Sequence, residues 1–61
     1  MMEENRMERY FTVTHDHRSY AVIGNENTTL DAVWASQKCW FLTGSVVTIT
    51  DDHGNQKTHR R

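Results

Sequence analysis

The sequence predicts a small α+β domain: one antiparallel sheet of about four strands with a single helix packed on one face, in ββαββ order. Three observations predict it. Residues 10–23 hold two short runs of aromatic and β-branched residues separated by a polar stretch. Residues 28–41 carry large apolar side chains at helical spacing. Residues 45–59 hold an alternating β-branched run, a glycine-bearing turn and a polar return run.

The elements follow in order. Tyr10-Phe11-Thr12-Val13-Thr14 suits a pleated strand. The two-residue period puts Phe11 and Val13 on one face and Tyr10, Thr12 and Thr14 on the other. His15-Asp16-His17-Arg18-Ser19 reads as a polar turn. Tyr20-Ala21-Val22-Ile23, ended by Gly24, reads as a second strand, completing a hairpin. Asn27-Thr28-Thr29 matches a glycosylation sequon, but reads here as a turn leading into a helix cap. Thr28 as N-cap, with Asp31 three residues on, approximates a capping box. The helix is expected over residues 30–39, with Leu30, Val33, Trp34, Gln37 and Phe41 on one face. Gln37 is the flaw in that stripe. A helix this short needs a sheet to rest on. Gly44 is its natural exit.

Ser45-Val46-Val47-Thr48-Ile49-Thr50 is the clearest strand, with Val47 and Ile49 facing the helix and Val46, Thr48 and Thr50 facing out. Asp51-Asp52-His53-Gly54-Asn55 reads as a turn, and residues 56–59 as a polar edge strand whose cations discourage aggregation. Residues 1–8 are charged, carry the three methionines, and read as a flexible segment, frayed or one turn of loose helix. The ordered domain is expected over residues 9–61.

Composition narrows the function classes. A chain of 61 residues makes one domain with one thin core, too little for a cleft between domains. Seven Lys+Arg against eight Asp+Glu give a net charge of −1, with no global pull toward nucleic acid or anionic membrane. Cys39 is the sole cysteine, which excludes an internal disulfide and a multi-cysteine zinc site and favours a cytoplasmic location. The polar start Met1–Arg6 does not read as a signal peptide. The longest apolar run, Trp40-Phe41-Leu42, is far short of a membrane span.

No residue pattern requires catalysis or a cofactor. His15 and His17, joined by His53 and His59, would make a metal site only if the hairpins packed adjacently. The simpler reading is polar turn histidines. Cys39 lies at the helix C-terminus, the wrong end to stabilise a thiolate, and reads as a small core filler. The glycines are isolated at 24, 44 and 54, so no phosphate loop exists. Glu3-Glu4 and Asp51-Asp52 read as solvated surface rather than an acid–base pair.

One pattern resembles a known group. Thr29-Leu30, then Val33 to Ala35, then Phe41-x-x-Gly44-Ser45-Val46-Val47-x-Ile49-x-Asp51-x-x-Gly54, resembles a small ββαββ domain found in proteins of bacteriophages and mobile elements. The resemblance spans about residues 28–54 and includes small anti-CRISPR proteins of a type I-F inhibitor kind. Its motif is structural, with no catalytic residues to carry over. It implies stoichiometric binding to Cas proteins of a surveillance complex and steric blockade of target DNA pairing.

The expectation is therefore a non-enzymatic interaction protein, acting on a host protein or ribonucleoprotein. Trp34, Trp40, Phe41 and Leu42 are too many large side chains for so small a core to hide entirely. The contact residues expected are Tyr10, Arg18, Tyr20, Trp34, Lys38 and Lys57, on exposed surface. The alternative is a nucleic-acid-binding regulator, with Tyr10, Tyr20, Arg9, Arg18, Lys57, Arg60 and Arg61 on a basic, aromatic sheet face. A homodimer contact through the tryptophans is a third use of the same apolar surface.

Overall fold

A computed structural model of the chain describes residues 8–61. Of the flexible segment expected over residues 1–8, all but Glu8 lies outside the described residues. The elements are β1 (Arg9–His15), β2 (Arg18–Gly24), α1 (Leu30–Gln37), a 3₁₀ turn (Lys38–Trp40), β3 (Val46–Thr50) and β4 (Gln56–Arg60). This is the expected ββαββ order. The four strands form one antiparallel sheet in the order β2-β1-β3-β4. The central strands β1 and β3 are thus the two with the strongest β-branched and aromatic patterning.

The strand register confirms the expected alternation. Val13 pairs with Ile49 and Phe11 with Val22, while Thr12 pairs with Thr50 and Thr14 with Thr48. Phe11, Val13, Val47 and Ile49 therefore face α1, and the threonines face the opposite side. Those four residues and Val33 of the helix are the fully buried core. Val22, Leu30, Trp34 and Phe41 pack around it. The helical stripe holds for Leu30, Val33, Trp34 and Gln37, whereas Phe41 reaches the core from extended chain beyond the helix. The flaw at Gln37 has a use, since the Tyr20 hydroxyl of β2 donates to Gln37 Oε1 at 2.8 Å.

Local chemistry shifts several boundaries. The β1–β2 turn is only Asp16-His17, because pairing extends both strands to His15 and Arg18. Asp16 takes a φ of 56°, a conformation that short polar side chains tolerate better than most. The N-cap is Thr29, not Thr28: its hydroxyl accepts from Ala32 N–H at 3.0 Å. Thr28 is engaged elsewhere, its Oγ1 accepting from Asn25 N–H at 2.9 Å. The helix ends at Gln37, two residues short of expectation, and continues as the 3₁₀ turn. Cys39 lies in that turn and is exposed, so it is not a core filler. Gly44 and Gly54 hold φ of 96° and 89° in the turns before β3 and β4.

Candidate functional site

The helix rests on β3 and β4, which leaves the β2 side of the same sheet face uncovered. No residue of β2 is fully buried. Arg18 and Tyr20 are exposed on that face, and Val22 is half-buried. The chain leaving α1 then runs alongside. Trp40, Phe41 and Leu42 face Tyr20 across a groove that His15, Arg18, Gln37 and Ser45 complete. Trp40 is 76% exposed and Leu42 83%. They are the two largest apolar liabilities on this face.

The far wall is pinned rather than loose. Arg61 Nε donates to the carbonyls of Lys38 and Phe41 at 2.7 and 3.2 Å. The Arg61 N–H donates to Ser45 O, and Arg61 O accepts from Gly44 N–H, both at 2.8 Å. Phe41 is wedged from two sides. The His15 ring meets it edge-on at 5.2 Å, and Trp34 stacks on it at 6.3 Å. His59 in turn stacks on Trp34 at 5.0 Å, nearly parallel. An aromatic row thus crosses the face from β4 to β1 and fixes the groove floor. Burial, with the nearby Cys39 thiol adding to it, raises the Tyr20 phenol above its ordinary value, so at neutral pH it stays a hydroxyl donor.

The six expected contact residues do not form one patch. Arg18 and Tyr20 line the groove. Tyr10 pairs with Ile23 on the opposite sheet face, where its hydroxyl donates to Glu8 at 3.2 Å. Trp34 is half-buried in the aromatic row rather than exposed. Lys57 lies over the helix, its Nζ 2.8 Å from Asp31 Oδ1. That hydrogen bond, rather than burial, sets Asp31 below the usual carboxylate range. Lys38 is exposed at the C-cap of α1. Because Tyr10 and Tyr20 project from opposite faces, no single sheet face unites the aromatic and basic residues expected for nucleic-acid binding. Trp40, Leu42, Phe41 and His15 are the additions. The excess of large apolar residues at 40–42 was the visible signal for Trp40, Phe41 and Leu42, whereas His15 read only as a turn histidine.

The other clusters are structural. Asp51-Asp52 is not a solvated turn pair: the Asp51 carboxylate is 5% exposed and held on four sides. It accepts from the N–H groups of His53 and Asn55, from the Asn55 amide and from Arg9, at 2.8 to 3.2 Å. Arg9 also donates to Thr28 O at 3.1 Å and lies over the Phe11 ring. This clip ties β1, the β2–α1 loop and the β3–β4 turn together. Among the described residues, no group of three or more His, Cys, Asp or Glu side chains is placed to hold a metal ion. His17 and His53 sit in separate turns, while His15 and His59 belong to strands and to the aromatic row.

The clip makes a pH prediction. Burial raises the Asp51 carboxyl, but the three donated hydrogen bonds and Arg9 outweigh it, leaving its pKa below the ordinary value. The Tyr10 N–H chiefly does the same for Asp52. Depressed folded-state values give stability that is present above the unfolded pKa of about 3.9 and lost as pH falls through the folded ones. Thermal melts are expected to show the parent losing stability below about pH 4. Asp51→Ala is expected to melt lower at neutral pH and to show a flatter acid limb. An unchanged acid limb would exclude Asp51 as its source.

No helix among the described residues is long and apolar enough to cross a membrane. Comparison of the chain with protein-family models, with curated proteins and with solved structures finds no match.

Proposed function

We propose that this chain is a stoichiometric protein-binding inhibitor rather than an enzyme, that it engages its partner through the groove beside β2, and that the partner is a CRISPR surveillance complex. The observation that carries the binding reading is the pair Trp40 and Leu42, exposed opposite Tyr20 and Arg18 on a chain segment whose carbonyls at Lys38 and Phe41 are held by Arg61. A domain with five fully buried residues among those described gains nothing for its own core from two large apolar side chains in water. Such residues, next to a tyrosine and an arginine, have the composition of an interface anchor. The choice of partner rests on the resemblance over residues 28–54, and the ββαββ order supports it. Binding there blocks target DNA by occupying space on the complex, with no bond made or broken.

The test is target-DNA binding by a purified, guide-loaded type I-F surveillance complex titrated with the chain. Loss of DNA binding, complete near one chain per site on the complex, is the expected result. DNA binding unchanged with the chain in about tenfold molar excess and at about 10 µM would sink the partner assignment. Capture of a different protein by the intact groove, lost on groove substitution, would keep the binding reading and replace the partner.

A further inference from the structure

Antiparallel ladders alternate the direction of their main-chain groups residue by residue. The Tyr10 N–H turns toward the β3–β4 turn, donating to Asp52 Oδ2 at 3.2 Å. Arg9, Phe11, Val13 and His15 therefore bond to β2, through their partners Gly24, Val22, Tyr20 and Arg18. The main-chain groups of Ser19, Ala21 and Ile23 are left pointing away from the sheet. The next outward N–H, that of Asn25, is taken by Thr28 Oγ1 at 2.9 Å. The outer edge of β2 is thus a three-residue row of outward-pointing donors and acceptors, closed at its far end by a loop.

The two edges of the sheet are guarded differently. On β4, Lys57, His59 and Arg60 line the strand, followed by Arg61. Self-pairing of β4 about Thr58 would set Lys57 against His59 of the second copy. On β2, the continuous register shows no bulge, there is no proline, and Arg18 is the one charge. Its Tyr20, Val22 and Ile23 favour a strand, and Ile23 is 66% exposed. Native edges usually carry charge, proline or a bulge to prevent pairing. β2 lacks all but the terminal arginine.

We propose that β2 pairs antiparallel with β2 of a second copy about a twofold axis at Ala21, making a continuous eight-stranded sheet. The register satisfies every outward group. Ala21 faces Ala21, and Ser19 faces Ile23, twice. Those pairs exchange about six main-chain hydrogen bonds. Tyr20 then lies beside Val22 of the second copy on the groove side, and Arg18 comes opposite Gly24, so no like charges meet. Small side chains at Ser19 and Ala21 leave the backbones free to approach. The twofold closes the edge, which limits assembly to a dimer. It also brings the two grooves side by side.

Sedimentation of the full chain from about 10 to about 500 µM, with amide hydrogen exchange across the same range, tests this. The expected result is a monomer–dimer equilibrium in which the amides of Ser19, Ala21 and Ile23 slow with concentration. Those of Tyr20 and Val22, already bonded to β1, and of Thr58 and Arg60 on β4, stay as they are. Ala21→Lys places two ammonium groups at the axis and is expected to weaken the dimer at least tenfold. Ala21→Pro removes only an outward N–H, as edge strands tolerate, and is expected to abolish the dimer. Circular dichroism checks that both variants remain folded, and Ile23→Lys supplies a third route should either unfold. A chain monomeric throughout the range, a dimer indifferent to all three substitutions, or open-ended growth beyond two copies would overturn the proposal.

Discussion

Phe11→Ala is expected to lose most of the chain's stability at 25 °C. Phe11 is the largest of the fully buried side chains, 1% exposed, and stands on a central strand against Val33, Val47 and Ile49. Truncating a buried phenylalanine to alanine costs about 3–5 kcal/mol, the lost transfer energy plus the cavity left behind. Domains hold about 0.05–0.15 kcal/mol per residue, which for a chain of 61 residues is about 3–9 kcal/mol in all. One substitution therefore removes much or all of the margin. The loss has a second part, because the Arg9 guanidinium lies over this ring, 5.1 Å from its centre. Removing the ring takes away packing for the residue that holds the Asp51 clip. Amide NMR dispersion and thermal melts read the outcome. Val46→Ala is the matched control, an exposed residue of the neighbouring strand β3, expected to change stability by less than about 0.5 kcal/mol. Native dispersion and an unshifted midpoint in Phe11→Ala would show that the core is not organised around this ring.

The same residues show how far a local reading reaches. Phe11, Val13, Val47 and Ile49 announce themselves because sheet alternation is a period of two, and each lies in a β-branched run. The helix start was legible to within one residue. Thr28 and Thr29 are equally able caps, and the choice is made by Asn25, whose N–H claims the Thr28 hydroxyl. The clip at Asp51 was not legible. Two adjacent acids beside a glycine turn look solvated, and the arginine that partners Asp51 lies 42 positions away. The early end of the helix is also a long-range effect, since Arg61 collects the carbonyls of Lys38 and Phe41. The tryptophans divide for a related reason. Trp34 falls on the helical stripe and is covered once His59 stacks on it from β4. Trp40 lies off that stripe, in the 3₁₀ turn that follows the helix, and its side chain stays in water. Composition revealed an excess of large apolar residues, but only the sheet order could say which of them water would see.

That division sets the second large expectation. The double variant Trp40→Ala, Leu42→Ala is expected to fold like the parent yet bind its partner at least about 30-fold more weakly. The first half follows from exposure: both side chains are mostly in water, and surface truncations of that kind shift stability by about 0.5 kcal/mol or less each. The second half follows from interface energetics. Buried aromatic and aliphatic anchors at the centre of an interface cost about 2 kcal/mol or more on truncation, which is about 30-fold in affinity. One control isolates the groove. Tyr10→Ala removes an exposed aromatic of similar size from the opposite sheet face and is expected to leave affinity within about threefold. Trp34→Ala is the wrong probe, because it breaks stacking with both Phe41 and His59 and so disturbs the groove floor as well as the fold. Calorimetry against the surveillance complex, or against whatever protein the groove captures, gives the affinities, and melts give the stabilities. The informative failure is the reversed pattern. If Tyr10→Ala abolishes binding while the double variant binds normally, the threonine-rich face is the contact surface. Trp40 and Leu42 would then be free for another role, flanking the two grooves that self-pairing of β2 brings together.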